Sequence, residues 1–309
     1  MRFHSSSGGA ALAAALIFAF PSGVLACACG CGVFGVGTLP LVAPDLGGIA
    51  FLEYDFMDQN RNWNGSSTAP AANNPDKDLR TSFFTAGGEY MFDDDWGVMA
   101  EVPYWERHFA TTGADGNVES FDHGSLGDIR LEGVYSGFSS DMSTGVVFGL
   151  KLPTGDFRYP GFDRDTEIGT GSTDLLLGGY HAGPLTADNA WSWFAQGQWE
   201  HAVAQTGAYR PGDEIDAALG VDYSKGVIVG QAAITPTLEF IASQRAHDSG
   251  AQSDRPDSGY ARFFMAPGAE LDVQAWKLYG AVEIPAMQHF NGNQLAANVL
   301  FKVSVGYSF

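Results

Sequence analysis

The chain of 309 residues has few basic side chains: 16 Lys and Arg stand against 36 Asp and Glu, which gives a formal net charge of −20. Nucleic-acid binding depends on clustered Lys and Arg that neutralise phosphates. We therefore expect no nucleic-acid partner. The same acidic excess favours soluble loops and would attract cations to any cavity that carboxylates line.

Long hydrophobic runs are also missing. After the first 26 residues, no stretch approaches the roughly 18 consecutive apolar residues that a membrane-spanning helix needs. The first 26 residues resemble a secretory signal peptide, with Arg2 near the start, an apolar run and a small residue at Ala26. We predict a signal peptide at 1–26, a Cys- and Gly-rich segment at 27–47 and a barrel domain at 48–309.

The common catalytic and cofactor motifs do not occur. The sequence has no CxxCH for haem attachment, no Walker loop, no GxSxG and no HExxH. These absences favour a protein that is not an enzyme and that carries no cofactor in its main domain.

What the sequence does have is alternation with a period of two. In the last residues, LFKVSVGYSF, one face carries Phe301, Val303 and Val305 while the other carries Lys302 and Ser304. Successive side chains of a strand point to opposite faces, so this pattern predicts a strand with one apolar and one polar side. About a dozen such stretches recur, each roughly 9 to 14 residues long, the length of a tilted membrane-crossing strand.

The connections between these stretches alternate in length. Short turns are predicted near 93–96, 139–143, 183–189, 224–226 and 272–275, and long polar loops at 58–78, 107–125, 154–170, 205–212, 246–258 and 287–293. Outer-membrane barrels have short periplasmic turns and longer extracellular loops, whereas a soluble all-β protein has no reason to segregate them.

We therefore predict an all-β fold: a transmembrane, antiparallel, up-and-down β-barrel of about 12 strands in the outer membrane of a Gram-negative bacterium, in contact with its lipid. Hydrocarbon offers no partner to backbone amides, so the sheet must close on itself. The short N-terminal segment could fold into the lumen. We predict that the lumen is lined by Glu53, Glu101, Asp128, Arg130, Glu132, Lys151, Gln198, Asp216, Glu239 and Lys302.

Several segments resemble the outer-membrane transporter family named after the meta-pathway of phenol degradation. They are HGSLGDIRLEGVY, LKLPTGD, GTGSTD and FNGNQL, and the resemblance extends from about residue 48 to 309. It implies a channel-like barrel that passes small molecules, among them hydrophobic or aromatic ones, without a cofactor. Asp128 has two interpretations, a role in permeation or the capping of a turn.

Three cysteines, Cys27, Cys29 and Cys31, lie directly after the predicted signal. Three interpretations stay open: lipidation of Cys27 at an imperfect lipobox, binding of a soft metal such as Cu or Zn by the thiolates, or disulfides without further role. The cluster departs from the usual pattern of the resembled family.

The leading functional hypothesis is a channel for a small-molecule solute. A metal-handling protein built around the cysteines is the first alternative. The second is an outer-membrane hydrolase that pairs His108 or His123 with Asp115 or Asp122, which requires those groups to lie within hydrogen-bond reach.

Overall fold

The computed structural model describes residues 47–309, and the predicted signal peptide and cysteine cluster lie outside this range. Apart from two short 3₁₀ turns, Ala71–Asn73 and Arg255–Asp257, the regular structure in it is β-strand. No helix in this range is long and apolar enough to cross a membrane. The strands are β1 Gly47–Gly65, β2 Ser67–Thr68, β3 Asp76–Met91, β4 Trp96–Thr112, β5 Val118–Leu126, β6 Ile129–Tyr135, β7 Thr144–Leu152, β8 Ser172–Pro184, β9 Ser192–Gln205, β10 Glu214–Asp222, β11 Val227–Val229, β12 Ala232–Arg245, β13 Tyr260–Val273 and β14 Trp276–Ser308.

Eleven of these strands form one closed antiparallel sheet, and β2, β5 and β11 are short additions outside the ring. Each wall strand pairs with the next wall strand along the chain, and β14 closes the ring against β1. Closure pairs the backbone amides of every wall strand on both sides, which removes the exposed edges of an open sheet.

The last element, β14, contributes two passes to the wall of the barrel. β14 has 33 residues, and its first half pairs with β13 from Trp276 to Phe290 while its second half pairs with β1 from Phe290 to Ser308. The amide of Ser308 donates to the carbonyl of Ala275 at 2.9 Å, so the two halves lie side by side. The chain therefore makes twelve passes, as the alternation predicts.

The two ends of the barrel differ. The end that holds Gly47 and Phe309, here called the terminal end, has short connections, from the two residues 274–275 to the nine residues 223–231. The opposite end, here called the loop end, has connections that include 113–128 and 153–171. The predicted segregation holds for four of the six loop-end connections; 206–213 is no longer than 223–231, and the connection within β14 is a tight turn.

Two predicted loops, 58–78 and 107–125, are partly strand in the structure. The prediction of a long loop at 287–293 is wrong. Most of 107–125 is strand, because β5 folds back on the upper part of β4, and the two polar segments supply each other with antiparallel partners. Likewise β1 extends to Gly65 within the predicted loop 58–78. In the segment 287–293, residues 287–290 pair with β13, and the connection is only a tight turn that contains Gly292, in the left-handed region at φ 66°.

Candidate functional site

The interior of the barrel is the candidate site, because the alternation sorts side chains between the two faces of the wall. Leu52 is 61% exposed and Leu177 is 50% exposed on the outer face. Asp55 at 2%, Glu239 at 0% and Lys302 at 2% are buried on the inner face. Burying charged groups is costly unless they are paired, so the inner face must contain partners for them.

One inner cluster centres on Arg130 of β6. Its guanidinium lies 3.6 Å from Glu101, 3.2 Å from Glu200 and donates to Gln198 at 2.5 Å. Gln198 in turn donates to Glu132 at 2.7 Å. Gln198 and Glu200 belong to β9, which is separated from β6 by β7 and β8 in the sheet. These contacts therefore run through the interior.

Lys151 of β7 extends this cluster. Its ammonium lies 2.5 Å from Asp174 and also contacts Glu200, so Glu200 bridges Lys151 and Arg130. Lys151 and Arg130, the two cationic partners of Glu200, have buried or half-buried side chains. Burial strengthens their attraction to Glu200 relative to a surface pair.

A second inner cluster surrounds Lys302, on the second pass of β14. Its ammonium lies 3.3 Å from Glu53 and 3.6 Å from Asp55, both on β1. On the neighbouring strands, Tyr279 donates its hydroxyl proton to Glu239 at 2.7 Å. Glu283 is 2% exposed beside them.

The structure thus places nine of the ten predicted lumen residues on the inner wall, and seven of them belong to the two clusters around Arg130, Lys151 and Lys302. Glu239 adjoins the second cluster and Asp216 is 9% exposed on β10. Carboxylates outnumber cations on this wall. The inner charged side chains of the spanning strands include Glu53, Asp55, Glu89, Glu101, Glu132, Asp174, Glu200, Asp216, Glu239 and Glu283 against Arg130, Lys151, Arg262 and Lys302.

Asp128 is the exception. Its carboxylate accepts from the amides of Gly155 at 3.0 Å and Thr170 at 2.8 Å, and so fastens the loop 153–171 to the rim of the barrel. The capping interpretation of Asp128 accounts for both of its oxygens.

The loop 153–171 lies against the inner face of the wall at the loop end. Arg107, 2% exposed, donates to the carbonyls of Thr166 at 2.6 Å and Glu167 at 3.1 Å. Thr166 and Ile168 are buried. Burial raises the pKa of Asp165 to about 8 and that of Glu167 to about 7.

The described residues also enclose a cavity at the terminal end. A cavity of about 650 Å³ lies there between the first pass of β14 and the turns after β6 and β8. Its lining combines aromatic side chains, among them Tyr180, Trp193 and Phe194, with charged ones such as Asp222 and Lys277.

Sequence reasoning missed Glu283 and Arg107 as functional candidates. Glu283 lies in GAVEIPAM, where Ala281 is buried and Ile284 is exposed on the outer face, so its position in the alternation marks it as inward. The partners of Arg107, the hydroxyl of Thr81 and the carbonyls of Thr166 and Glu167, could not be identified from the sequence, because two of them are backbone atoms of a distant loop.

The histidine pairs of the hydrolase hypothesis are only partly assembled. His108 Nδ1 lies 2.7 Å from Asp122, but His123 pairs with Asp156 at 3.1 Å instead. Asp115 accepts from the amide of Asn117 and shapes a turn. Among the described residues, no serine, threonine or cysteine is hydrogen-bonded to His108, so the described chain shows no activated nucleophile there.

Within residues 47–309, no group of three or more His, Cys, Asp or Glu residues is arranged to hold a metal ion. Cys27, Cys29 and Cys31 lie outside the described residues, so a Cu or Zn site there stays a prediction.

The sequence matches no protein-family model and no curated protein. Among solved structures, the chain is similar to an outer-membrane channel from Pseudomonas putida F1, with a TM-score of 0.67, 12% identity, and coverage of 89% of this chain and 100% of that one. It is also similar to the β domain of the Bordetella autotransporter BrkA, with a TM-score of 0.53, 14% identity, and coverage of 86% and 100%. The Ralstonia pickettii toluene transporter TbuX matches at a TM-score of 0.41 and 11% identity, which is too distant to carry an argument. Together the first two show that the chain has the fold of outer-membrane barrels.

Proposed function

We propose that this protein is a channel of the Gram-negative outer membrane that passes small molecules through its barrel. The observation that carries the proposal is the sorting of side chains across a closed sheet: Leu52, Leu177 and Val303 are exposed outside, while charged clusters fill the inside. An apolar outer face suits lipid, and a polar interior is the general property of channels of this architecture. The fold shared with an outer-membrane channel supports the same conclusion.

Aromatic side chains at the terminal end support a membrane interface there. Trp276 packs on Tyr307 at 4.9 Å between ring centroids, and Trp191 packs on Tyr223 at 5.3 Å. Aromatic girdles mark the boundaries of the apolar band in such barrels. With its short turns, the terminal end then faces the periplasm, and the loop end faces outward.

For the solute, the resemblance in HGSLGDIRLEGVY and the related segments implies small hydrophobic or aromatic molecules. The cavity at the terminal end favours that class, since Tyr180, Trp193 and Phe194 line it. Aromatic faces stack favourably on aromatic ligands. Membership in the phenol-degradation family is part of this proposal.

Solute flux into liposomes tests the proposal. Purified protein, folded into liposomes, should pass a small sugar and an aromatic ammonium ion faster than protein-free liposomes do, and Phe194→Ala should change the ratio of the two rates. Phe138→Ala is the matched control, because Phe138 is 61% exposed in the turn after β6. Flux equal to that of protein-free liposomes would refute the channel.

The cysteine hypothesis needs a different measurement, because Cys27, Cys29 and Cys31 lie outside the described residues. The intact mass of the mature protein gives the cleavage site and any lipid on Cys27. Metal content with and without Cys29→Ser and Cys31→Ser then tests for bound Cu or Zn.

A further inference from the structure

The cluster around Lys302 holds more negative than positive charge. Lys302 contacts Glu53 and Asp55 on one side, and it lies within electrostatic range of Glu239 and Glu283 on the other. These carboxylates come from β1, β12 and the first pass of β14, which the closed sheet brings around the second pass of β14. Among the described residues, Arg262 of β13 also acts on Glu283, so two cations face four carboxylates in this cluster.

Three of these carboxylates are buried with an oxygen that has no hydrogen-bond partner. They are Asp55 at 2%, Glu239 at 0% and Glu283 at 2% exposure, and the oxygens are Oδ2, Oε2 and Oε2. A buried carboxylate oxygen without a donor costs free energy, so each of these atoms is a place where a positively charged or hydrogen-bonding ligand is stabilised.

Small side chains lie between these carboxylates. Glu239 pairs in register with Ala266 of β13, and Ala281 lies two residues before Glu283 on β14.

Within residues 47–309, no three acidic or histidine groups are close enough together to hold a metal ion, and the carboxylates around Lys302 are spread over β1, β12 and β14. Carboxylates that are spread over neighbouring strands instead stabilise a mobile cation that exchanges partners along its path. Rings of acidic side chains select cations in this way in other channels.

We propose that the barrel is a cation-selective channel and that Asp55, Glu239 and Glu283 set the selectivity. Lys302 is a tethered cation in the same cluster, which holds the carboxylates apart and competes with mobile cations for them. This inference rests on the proposed channel function, and it names the class of solute that the interior prefers: small cations, inorganic or organic.

The test is the reversal potential of the full-length mature protein in a planar lipid bilayer under a KCl gradient. The wild type should show a potential of the sign that K⁺ permeation produces. Glu283→Gln and Glu239→Gln should each lower the ratio of K⁺ to Cl⁻ permeability severalfold, because each removes one negative charge and keeps the side-chain size. Asp94→Asn is the matched control, since Asp94 is exposed in the turn after β3, and it should leave the ratio unchanged.

The outcomes separate the two proposals. A wild type that conducts without preferring K⁺ refutes the selectivity and leaves the channel standing, whereas a wild type that does not conduct refutes both. Conduction with a ratio that neither glutamine variant alters refutes the assignment to these residues. If Glu239→Gln fails to fold because the amide brings a buried NH₂ group beside Tyr279, Glu283→Gln still decides, since Glu283 has no such tyrosine partner among the described contacts.

Discussion

Arg130 shows how single side chains hold the interior together. Its guanidinium contacts Glu101, Gln198 and Glu200, and only 19% of the side chain is exposed. Its removal leaves Glu101 without its paired cation, while Glu200 keeps Lys151. We expect Arg130→Met to lower the free energy of unfolding by about 3 kcal/mol, the cost of breaking a buried pair from one side.

Equilibrium unfolding in urea, with the protein folded in lipid vesicles, measures this loss. Arg80→Met is the control, because Arg80 pairs with Asp78 at 3.0 Å while 47% of its side chain is exposed. Exposed pairs contribute less than about 1 kcal/mol. Equal losses in the two variants would show that the inner cluster has no special stabilising role.

Gly292 allows the turn within β14. Its φ is 66°, and a Cβ at this position would lie 1.9 Å from Asp257 Oδ1, the atom that accepts the amide of Asn293 at 2.6 Å. Gly292→Ala should therefore lower the free energy of unfolding by more than the about 1 kcal/mol that left-handed backbone alone costs an alanine.

Gly230→Ala separates the two causes. Gly230 has a φ of 67°, but a Cβ there would meet nothing within 4 Å. The same urea titration should give a smaller loss for Gly230→Ala than for Gly292→Ala. If the two losses were equal, contact with Asp257 would not constrain the turn.

The loop 153–171 is the element whose stability should depend on pH. Burial, with Asp248 nearby, raises the pKa of Asp165 from 3.8 to about 8. The folded loop thus binds the proton more tightly than the unfolded loop, so this contribution is fully present below pH about 4 and is lost as the pH rises through about 8. Hydrogen exchange of the loop amides, corrected for intrinsic rates, should accelerate between about pH 4 and about pH 8 and level off above that.

Asp165→Asn should reduce that acceleration, because an amide does not titrate. Glu167, with a pKa raised to about 7 by burial, should keep a residual response at lower pH. Asp115→Asn is the control, since backbone hydrogen bonding from Asn117 lowers the pKa of this exposed carboxyl. If Asp165→Asn left the pH response of hydrogen exchange intact, the response would come from a group other than Asp165.

The strands of the wall could be predicted from the sequence, because the period of two follows from the geometry of extended backbone. The inner positions of Glu53, Lys151 and Lys302 follow directly from that alternation. The fold of the loop 153–171 could not be predicted. Arg107 binds backbone carbonyls of this loop, and because every residue has a backbone carbonyl, the sequence does not show which ones are bound. The long-range pairs of Arg130 with β9 depend on how the sheet curves, which local sequence does not encode.

Residues 47–309 form a cylinder with an apolar outer face. A prediction that does not depend on the solute follows from that face. Leu177, in the middle of β8, is 50% exposed, as a lipid-facing residue would be. In water an arginine would be tolerated there, whereas at the midplane of a bilayer it costs about 2–4 kcal/mol. We expect Leu177→Arg to lower the free energy of unfolding in vesicles by that amount.

Leu185→Arg is the matched control. Leu185 is 56% exposed, about as much as Leu177, but it lies in the turn directly after β8 at the terminal end. Outside the apolar band an arginine should cost less than about 1 kcal/mol, because its charge stays in water. Since the two leucines match in type and exposure, a difference between the variants measures depth in the bilayer. Equal effects would mean that the exposed leucines of the wall do not face lipid, and both channel proposals would lose their foundation.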